Sequence, residues 1–522
     1  MSYIANRSRT QNTIRNIIMG FSARAVAVLL PFVTRSVLIN ELGADYAGLS
    51  SLFFSLLQIL NVSELGISSA IIFSLYKPVA DNNVREISEW LKVYRTLYLI
   101  IGIIILFFGS VLCPFVKLLI KGSYPNDVNI YFLFLIYLID AVIGYLTFGY
   151  KRVVLTVYQR VYVINFIELL ITLLKNALQI IVLLSFANFN MFVVVLPITT
   201  LISSITINLI TNKLYPELNI VKGFSLARMS KLSKQLKGVA IGRISVVVKN
   251  ALGNIVISAT IGLVGSAIYA NYYYIFTAVS GLLTIFLQAM SASVGNSLVT
   301  DTKEKNQDDH LKFDFYYEFM VAGGTIGLFC LYQPFVRLWV GNALMLPDFT
   351  CTLFCVYFYV NQLAQVRSVY SEAAGLWWDF RMITIAELFS NIAFMIVFGS
   401  IYGANGILIA NIITAFFTSF IGITLVVYKK LFKCSSRRYY FQNFCYGVVT
   451  FIGCVLIGSI CKRMPDKQIY DFLTKCLVCV ATGSTYLFVL YLTNRKSRAY
   501  LIEGVDRIIG GKWRDFKNKK KN

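Results

Sequence analysis

The sequence is poor in charged residues and contains almost no histidine. Charged side chains make up 14% of its 522 residues, nine residues are proline and one is histidine. Soluble domains carry about 25% charged residues, enough to cover their surfaces with polar groups. A chain of which 57% is hydrophobic has too few polar side chains for that purpose. The composition excludes an ordinary soluble domain and indicates a protein with many membrane-spanning segments.

Signatures of catalysis and of bound cofactors are also missing. The pairs Gly323-Gly324 and Gly510-Gly511 lack the spacing of a phosphate-binding loop. His310 stands in the charged segment 302–312, which favours a solvated side chain over a catalyst or metal ligand. The ten cysteines show no paired metal-ligand spacing and are predicted to be small core residues. We therefore predict no enzyme activity, no cofactor and no metal site.

Apolar stretches long enough to cross a bilayer recur along the whole chain. About 20 residues of helix span the roughly 30 Å of hydrocarbon. Continuous apolar runs favour helices over the short alternating strands of a β-barrel. The sequence predicts an all-α, polytopic membrane protein with about fourteen transmembrane helices. Their cores are residues 15–39, 48–75, 96–116, 130–149, 162–184, 190–211, 238–261, 268–296, 314–335, 350–370, 380–402, 406–427, 443–461 and 474–493.

The excess of basic residues is explained by membrane topology. The 48 Lys and Arg exceed the 25 Asp and Glu by 23, and roughly thirty-six of these bases fall in alternate loops, on the side expected to be cytoplasmic. We predict that both termini face the cytoplasm and that the protein lies in the cytoplasmic membrane.

The first apolar stretch is too long, and too interrupted by Arg24 and Pro31, for a cleaved signal peptide. Anionic lipid accounts for the basic surface, so no nucleic acid partner is predicted.

The chain contains an internal repeat. The segment Pro114–Leu118 resembles Pro334–Leu338 at an offset of 334 − 114 = 220 residues. Three further matches, at an offset of 219, pair Leu42-Gly43 with Ile261-Gly262, Glu168 with Glu387, and Arg24 with Arg243. Several matches near one offset predict two pseudo-symmetric six-helix bundles of like orientation.

The repeat divides the predicted chain into five parts. These are a first bundle (1–212), a basic cytoplasmic linker (213–237), a second bundle (238–430), two additional transmembrane helices (443–493) and a basic amphipathic tail (494–522). The tail is predicted to lie on the inner membrane surface.

Basic residues inside the apolar stretches are candidates for ligand binding. Arg24 and Arg35 stand in the first stretch, Arg243 and Lys249 in the seventh, and Lys175 in the fifth. A charge at mid-helix costs about 2.5–3.5 kcal/mol and persists where it faces water, a partner or a ligand.

The spacing of these bases favours particular members of the set. Arg24 and Arg35 are eleven residues apart, so they project from one helix face about 16 Å apart. Arg24 and its repeat partner Arg243 are predicted to face a central cleft and to bind a phosphate or pyrophosphate, for which guanidinium groups are suited. The alternatives are that Arg35 reaches the outer interface and that Arg24 pairs with an acid on another helix.

Acids inside the stretches are candidates for ion coupling. The fifth stretch carries Glu168, Thr172, Lys175 and Gln179 along one helix face. Further acids are Glu64, Asp140 and Glu387, the last followed by Asn391 at i+4. Each acid either forms a structural ion pair with an intramembrane base or binds a proton or cation during transport.

Three short motifs carry a family resemblance that extends over essentially the whole chain. They are Leu42-Gly43-Ala44-Asp45-Tyr46-Ala47-Gly48-Leu49, Ser63-Glu64-Leu65-Gly66-Ile67 and Ala373-Ala374-Gly375-Leu376-Trp377-Trp378-Asp379. With the Arg-containing first span, they resemble polysaccharide flippases of the multidrug/oligosaccharidyl-lipid/polysaccharide exporter superfamily, the family that moves O-antigen or capsule repeat units. The resemblance implies two six-helix bundles, alternating access, and a cationic cavity for undecaprenyl-pyrophosphate-linked sugars. In the related lipid II flippases an Arg of the first span is required, and Arg24 holds a similar place.

The predicted function is therefore translocation of a lipid-linked oligosaccharide repeat unit. The predicted partners are the undecaprenyl-pyrophosphate-linked glycan, membrane lipids, and a polysaccharide polymerase with other assembly proteins. One alternative is a multidrug or cation antiporter of the same superfamily, whose cavity would favour acids. A second is a membrane-embedded polysaccharide polymerase or ligase, which would need a larger external loop, and a third is a scaffold without transport.

Overall fold

The computed structural model describes residues 9–61, 67–218, 245, 247–249, 251–465 and 468–493. Within these residues the chain is helical and contains no strand. Helices occupy the described part of every one of the fourteen predicted stretches. Nine helices of the described chain are long and apolar enough to cross a membrane, or ten if one bent pair forms a single span. The predicted all-α membrane fold is confirmed.

The described residues of the first half of the chain form nine α-helices, besides short 3-10 turns. They are α1 (Arg9–Glu41), α2 (Ala44–Leu60), α3 (Ile67–Ala80), α4 (Val84–Leu112), α5 (Ile130–Leu146), α6 (Arg152–Val157), α7 (Val161–Phe186), α8 (Phe189–Leu214) and α9 (251–260). Asn caps mark three of the starts, because the side chains of Asn83, Asn129 and Asn188 accept hydrogen bonds from backbone N–H groups of the first turn.

The described residues of the second half form eight longer helices, besides short 3-10 turns. They are α10 (Leu263–Thr300), α11 (Lys303–Val340), α12 (Asp348–Gln362), α13 (Gln365–Ala373), α14 (Arg381–Tyr402), α15 (Ala404–Phe432), α16 (Arg437–Lys462) and α17 (Ile469–Thr493). Two stretches of α15, Ala415–Ile423 and Tyr428–Phe432, are π-helical. Such stretches in other proteins frequently mark functional sites.

Two compact units divide the chain. The first contains Met1–Ala270 and Leu388–Ile407, and the second contains Asn271–Glu387 and Leu408–Asn522. In the first unit α1 packs on α7, α7 and α5 pack on α8, and α4 packs on α5. In the second unit α11 is central and packs against α12, α13, α16 and α17.

Close helix contacts hold the first unit together. A Cβ atom at Gly48 of α2 would lie 2.0 Å from the carbonyl oxygen of Leu263, at the start of α10, so only glycine fits there. The buried Thr34 hydroxyl of α1 donates a 2.6 Å hydrogen bond to Asn176 Oδ1 of α7. Polar bonds of this kind between apolar helices commonly contribute about 0.6 kcal/mol in a bilayer.

Large apolar side chains cover the outward faces of the long helices. Phe107 and Phe108 of α4 and Phe441 and Phe451 of α16 are all exposed. A soluble protein seldom presents aromatic surface on this scale, whereas in a bilayer these faces contact lipid.

Backbone geometry supports the internal repeat. Gly43 and Gly262, which are 262 − 43 = 219 residues apart, have φ values of 112° and 109°. Gly122 and Gly341, also 341 − 122 = 219 apart, have φ values of 86° and 85°. Such angles disfavour other residues, so the duplicated glycines preserve the same turns at the ends of corresponding helices.

Candidate functional site

The two arginines of α1 have different surroundings. Arg24 is exposed, and within the described part of the chain it makes no hydrogen bond or ion pair. Arg35 is half-buried and donates from both Nη atoms to Ser51 Oγ at 3.3 Å. Its Nη2 also donates to the carbonyl oxygen of Ala267 at 3.2 Å. Arg35 therefore joins α1 to α2 and α10 inside the first unit, whereas Arg24 makes no such contact with the described residues.

The polar stripe predicted in the fifth apolar stretch lies on α7. Gln179 is buried and donates to the carbonyl oxygen of Phe192 at 3.3 Å. Lys175 is half-buried, and its charge interacts with Asp140 and Glu168. The stripe therefore faces neighbouring helices of the first unit instead of lipid.

Both acids beside Lys175 have further partners. Asp140 of α5 accepts a 2.6 Å hydrogen bond from the Thr200 hydroxyl of α8. Glu168 accepts a 2.5 Å charged bond from Arg152 Nη2 of α6 and a weaker one from Ser203 at 3.4 Å. Two bases and two acids thus balance each other on α5, α6 and α7.

The repeat partner of Glu168 lies in a similar charge environment in the second unit. Glu387 of α14 is buried and interacts electrostatically with Arg367 of α13. Arg152 and Arg367 each lie on a short helix that follows a break in the chain. The helix α6 follows the break after α5, where the chain bends by 48°, and α13 follows the break after α12. Arg367 is fully buried and donates to the Ser419 carbonyl oxygen at 3.3 Å.

The prediction that His310 has a solvated side chain was wrong. The side chain is completely buried near the start of α11, and its Nδ1 lies 3.2 Å from the Tyr428 hydroxyl. The rings of Tyr370, Phe432 and Tyr439 surround it at centroid distances of 5.1 to 5.3 Å. Lys303, Glu304, Lys305 and Asp308 of the same segment are exposed, whereas Lys312 is buried. The whole segment from Lys303 belongs to α11, and the packed side of this helix buries His310.

Two acids of α11 were not identified from the sequence. Asp314 and Glu318 are fully buried and stand at i and i+4 on one helix face. Asp314 accepts hydrogen bonds from Asn443 at 3.1 Å and from the Tyr439 hydroxyl at 3.4 Å. Neither carboxyl oxygen of Glu318 has a hydrogen-bond partner among the described residues.

A sequence signal for these acids was present. Asn306, His310, Asp314 and Glu318 follow each other at intervals of four residues and are all buried. A similar helical spacing, of three and four residues, identified the stripe on α7. The signal was masked by the exposed charges between these positions.

Several predicted site residues cannot be placed against the others. Arg243, Glu64 and the tail 494–522 lie outside the described residues. Lys249 is half-buried within the short described part of the seventh stretch. The predicted meeting of Arg24 and Arg243 therefore stays a prediction.

No protein-family model matches the sequence, and no curated protein matches it. Solved structures, by contrast, show clear likeness. The structure of the lipid II flippase MurJ in an inward closed conformation has a TM-score of 0.65 at 15% sequence identity, covering 92% of this chain and 99% of that chain. An inward-facing multidrug resistance MATE transporter of the multidrug/oligosaccharidyl-lipid/polysaccharide exporter superfamily has a TM-score of 0.54 at 16% identity, covering 76% and 94%.

A third structure shares the fold but is described differently. It is a transporter of the same superfamily from Pyrococcus furiosus, with a TM-score of 0.51 at 15% identity, covering 81% of this chain and 96% of that chain. Its binding pocket is described as having reverse polarity, which suggests a different function for that protein. At these identities the likeness establishes the fold of this chain, which is that of the superfamily's transporters.

Proposed function

We propose that this protein is a flippase that moves undecaprenyl-pyrophosphate-linked oligosaccharide repeat units across the cytoplasmic membrane by alternating access. Both termini face the cytoplasm in this proposal. The protein acts as a transporter and catalyses no covalent step. A polysaccharide polymerase and other assembly proteins use the repeat unit on the outer side.

The proposal rests on the exposure of the Arg24 guanidinium group and on the absence of an ion-pair partner for it among the described residues. Arg24 is the third residue of the apolar span Ser22–Glu41, where an unpaired guanidinium group is stabilised by water or by an anion. Its planar donors match the oxygens of a diphosphate. The MurJ structure, which shares this fold, is that of a lipid II flippase, so a lipid-linked substrate is compatible with the architecture.

The charge of α1 argues against a carrier of organic cations. Residues 16–40 contain Arg24 and Arg35 and no acid. A cation carrier needs negative or aromatic groups in its binding cavity, since like charges repel. The Pyrococcus furiosus transporter is described as having a binding pocket of reverse polarity, so pockets of this fold differ in polarity.

The coupling step is assigned to the acids of α11. The Tyr359 hydroxyl lies near the Glu318 carboxyl group, but neither carboxyl oxygen is within hydrogen-bond distance of a donor among the described residues. Burial with so little polar compensation disfavours the charged carboxylate, which favours a proton or a bound cation at Glu318. Asp314 one turn away adds a second carboxyl group, and two adjacent carboxylates do not both ionise freely. Binding a proton or monovalent cation here would change the relative energies of two conformations, as coupled transport requires.

Leaflet accessibility of a labelled substrate tests the proposal. The purified full-length protein is reconstituted in vesicles containing an undecaprenyl-pyrophosphate-linked glycan with a fluorescent sugar. A membrane-impermeant quencher then measures the fraction in the outer leaflet. We expect the wild type to exchange the label between leaflets and Arg24→Ala to lose at least tenfold in rate, because the anionic head group loses its guanidinium.

Matched variants separate charge from packing in this assay. Val33→Ala removes another exposed side chain of α1 and is expected to retain the wild-type rate. Arg24→Lys keeps the charge without the planar fork and is expected to be intermediate. Equal rates for wild type and Arg24→Ala would reject the assignment of Arg24. Failure of the wild type to exchange the label, with exchange of a cationic dye, would favour the multidrug alternative.

A further inference from the structure

Three cysteines that are far apart in the sequence meet in the second unit. Cys330 of α11, Cys461 of α16 and Cys479 of α17 are all buried. Their Sγ atoms all lie within 4.8 Å of one another. Apolar packing alone does not require thiols from three different helices to converge at one point, although single buried cysteines commonly serve as small apolar residues.

The thiol cluster borders a polar cavity. A cavity of about 360 Å³ is lined by Cys330 and Cys461 together with Asp348, Lys462 and Lys475. Its volume is enough for several water molecules, each of which occupies about 30 Å³ in the liquid. The cavity therefore offers a hydrated route to two of the three sulfur atoms.

Nearby charge favours negative sulfur ligands. Lys475 of α17 is buried, and its charge interacts with Cys461. A metal bound by three thiolates carries net negative charge, which a buried ammonium group partly neutralises. No fourth Cys, His, Asp or Glu joins the cluster among the described residues, so a water molecule from the cavity is the available fourth ligand.

We propose that Cys330, Cys461 and Cys479 bind one soft, thiophilic d¹⁰ metal ion, either Cu(I) or Zn(II). Thiolate ligands select these ions over Mg²⁺, Ca²⁺ or Mn²⁺. On binding, each coordinating thiol releases its proton to cavity water and forms a metal–sulfur bond, without a change in oxidation state. Zn(II) would take the cavity water to complete a tetrahedron, whereas Cu(I) is satisfied by three sulfur atoms.

The site would tie α11 to the two helices beyond the repeat. α11 belongs to the repeated part of the chain, and α16 and α17 follow it. A metal held by all three would restrict their relative movement and so modulate transport. The proposal is independent of substrate identity, since the cluster contains none of the residues assigned to substrate or ion coupling.

Metal titration of the purified, reduced full-length protein tests this site. Cd²⁺ serves as the spectroscopic probe for Zn(II), because its binding to thiolates gives an ultraviolet charge-transfer absorption. Cu(I) is added under nitrogen in competition with a chromogenic chelator, whose colour reports the amount of Cu(I) that the protein does not bind. We expect one equivalent of metal per protein. The variant C330S/C461S/C479S should lose more than tenfold in affinity, whereas C113S/C434S/C445S, which leaves the cluster intact, should bind as the wild type does.

The Cd²⁺ and Cu(I) titrations together identify the metal. One equivalent of Cu(I) without a Cd²⁺ absorption band assigns Cu(I), and the reverse assigns Zn(II). Mg²⁺ is expected to compete with neither. If the triple serine variant does not fold, as judged by size exclusion, the single variants Cys479→Ser and Cys330→Ser provide the comparison.

Three results would overturn the proposal. The first is the absence of binding by wild-type protein whose ten thiols are all titratable. The second is equal binding by the C330S/C461S/C479S and C113S/C434S/C445S variants. The third is formation of a disulfide within the cluster without any metal uptake.

Discussion

Arg152 Nη2 donates to Glu168 Oε1 at 2.5 Å, in an ion pair that is about two-fifths exposed on both sides. The repeat partner of this glutamate, Glu387, is buried and interacts with the buried Arg367. A short helix after a break supplies the arginine in both units. The duplication has thus preserved an arrangement of charges while its burial changed.

This difference in burial predicts unequal effects of the same substitution. Glu387→Gln removes one of the acids whose charge acts on the buried Arg367, which should destabilise the fold by about 1–3 kcal/mol. Glu168→Gln breaks a partly exposed pair and should cost about 1 kcal/mol or less. Thermal unfolding of both purified variants provides the measurement. Equal shifts in Tm would show that burial does not determine the strength of these interactions.

Arg24 and Arg243 are predicted to act on the same diphosphate. Each single alanine variant should reduce transport strongly, and the double variant should be little worse than either single one, because interactions with one ligand are not additive. Rates of leaflet exchange for the four proteins measure the coupling. A double variant whose loss equals the product of the single losses would indicate that the two residues act at separate sites.

Glu318→Gln should uncouple transport from an ion gradient. The neutral amide imitates a protonated carboxyl group, so the variant should stay folded and should lose the acceleration produced by an imposed pH or Na⁺ gradient. The measurement compares exchange rates with and without each gradient in the same vesicles. Asp308→Asn, on the exposed face of α11, is the matched control. Unchanged gradient dependence in Glu318→Gln would exclude this acid from coupling.

Tyr46→Phe should cost a similar amount of stability at every ordinary pH. The Tyr46 hydroxyl donates a 2.5 Å hydrogen bond to Asp127 Oδ1. Burial and the Asp127 carboxylate raise the pKa of Tyr46 to about 12. Because this folded-state pKa exceeds the unfolded value, the stabilisation is fully present below about pH 10 and is lost only as pH rises through the folded-state pKa.

The expected loss for Tyr46→Phe is about 1 kcal/mol. The difference in Tm between wild type and variant, measured from about pH 6 to about pH 9, should be constant, since the phenol does not ionise there. A difference that disappears towards the upper end of this range would indicate that the phenol ionises earlier than the hydrogen bond allows.

Local features of the sequence were sufficient for the membrane architecture. Whether a stretch crosses the bilayer depends on its own length and apolarity. The apolar stretches could therefore be located before any packing was known, and nine or ten helices of the described chain are long and apolar enough to be spans. The duplicated glycines Gly43 and Gly262 were recognisable for the same reason, since a turn that needs positive φ selects its residue locally. The stripe containing Glu168 and Lys175 followed from helical spacing.

Tertiary packing decided what the charges and thiols do. His310, Asp314 and Glu318 stand among exposed charges in the sequence, and only the packing of α11 against α15 and α16 buries them. The meeting of Cys330, Cys461 and Cys479 depends on three helices whose order in the chain does not specify their neighbours. Hydropathy and spacing are properties of one segment, whereas burial and coordination arise from several segments at once, so the sequence by itself determined the membrane fold and only the folded chain decided these sites.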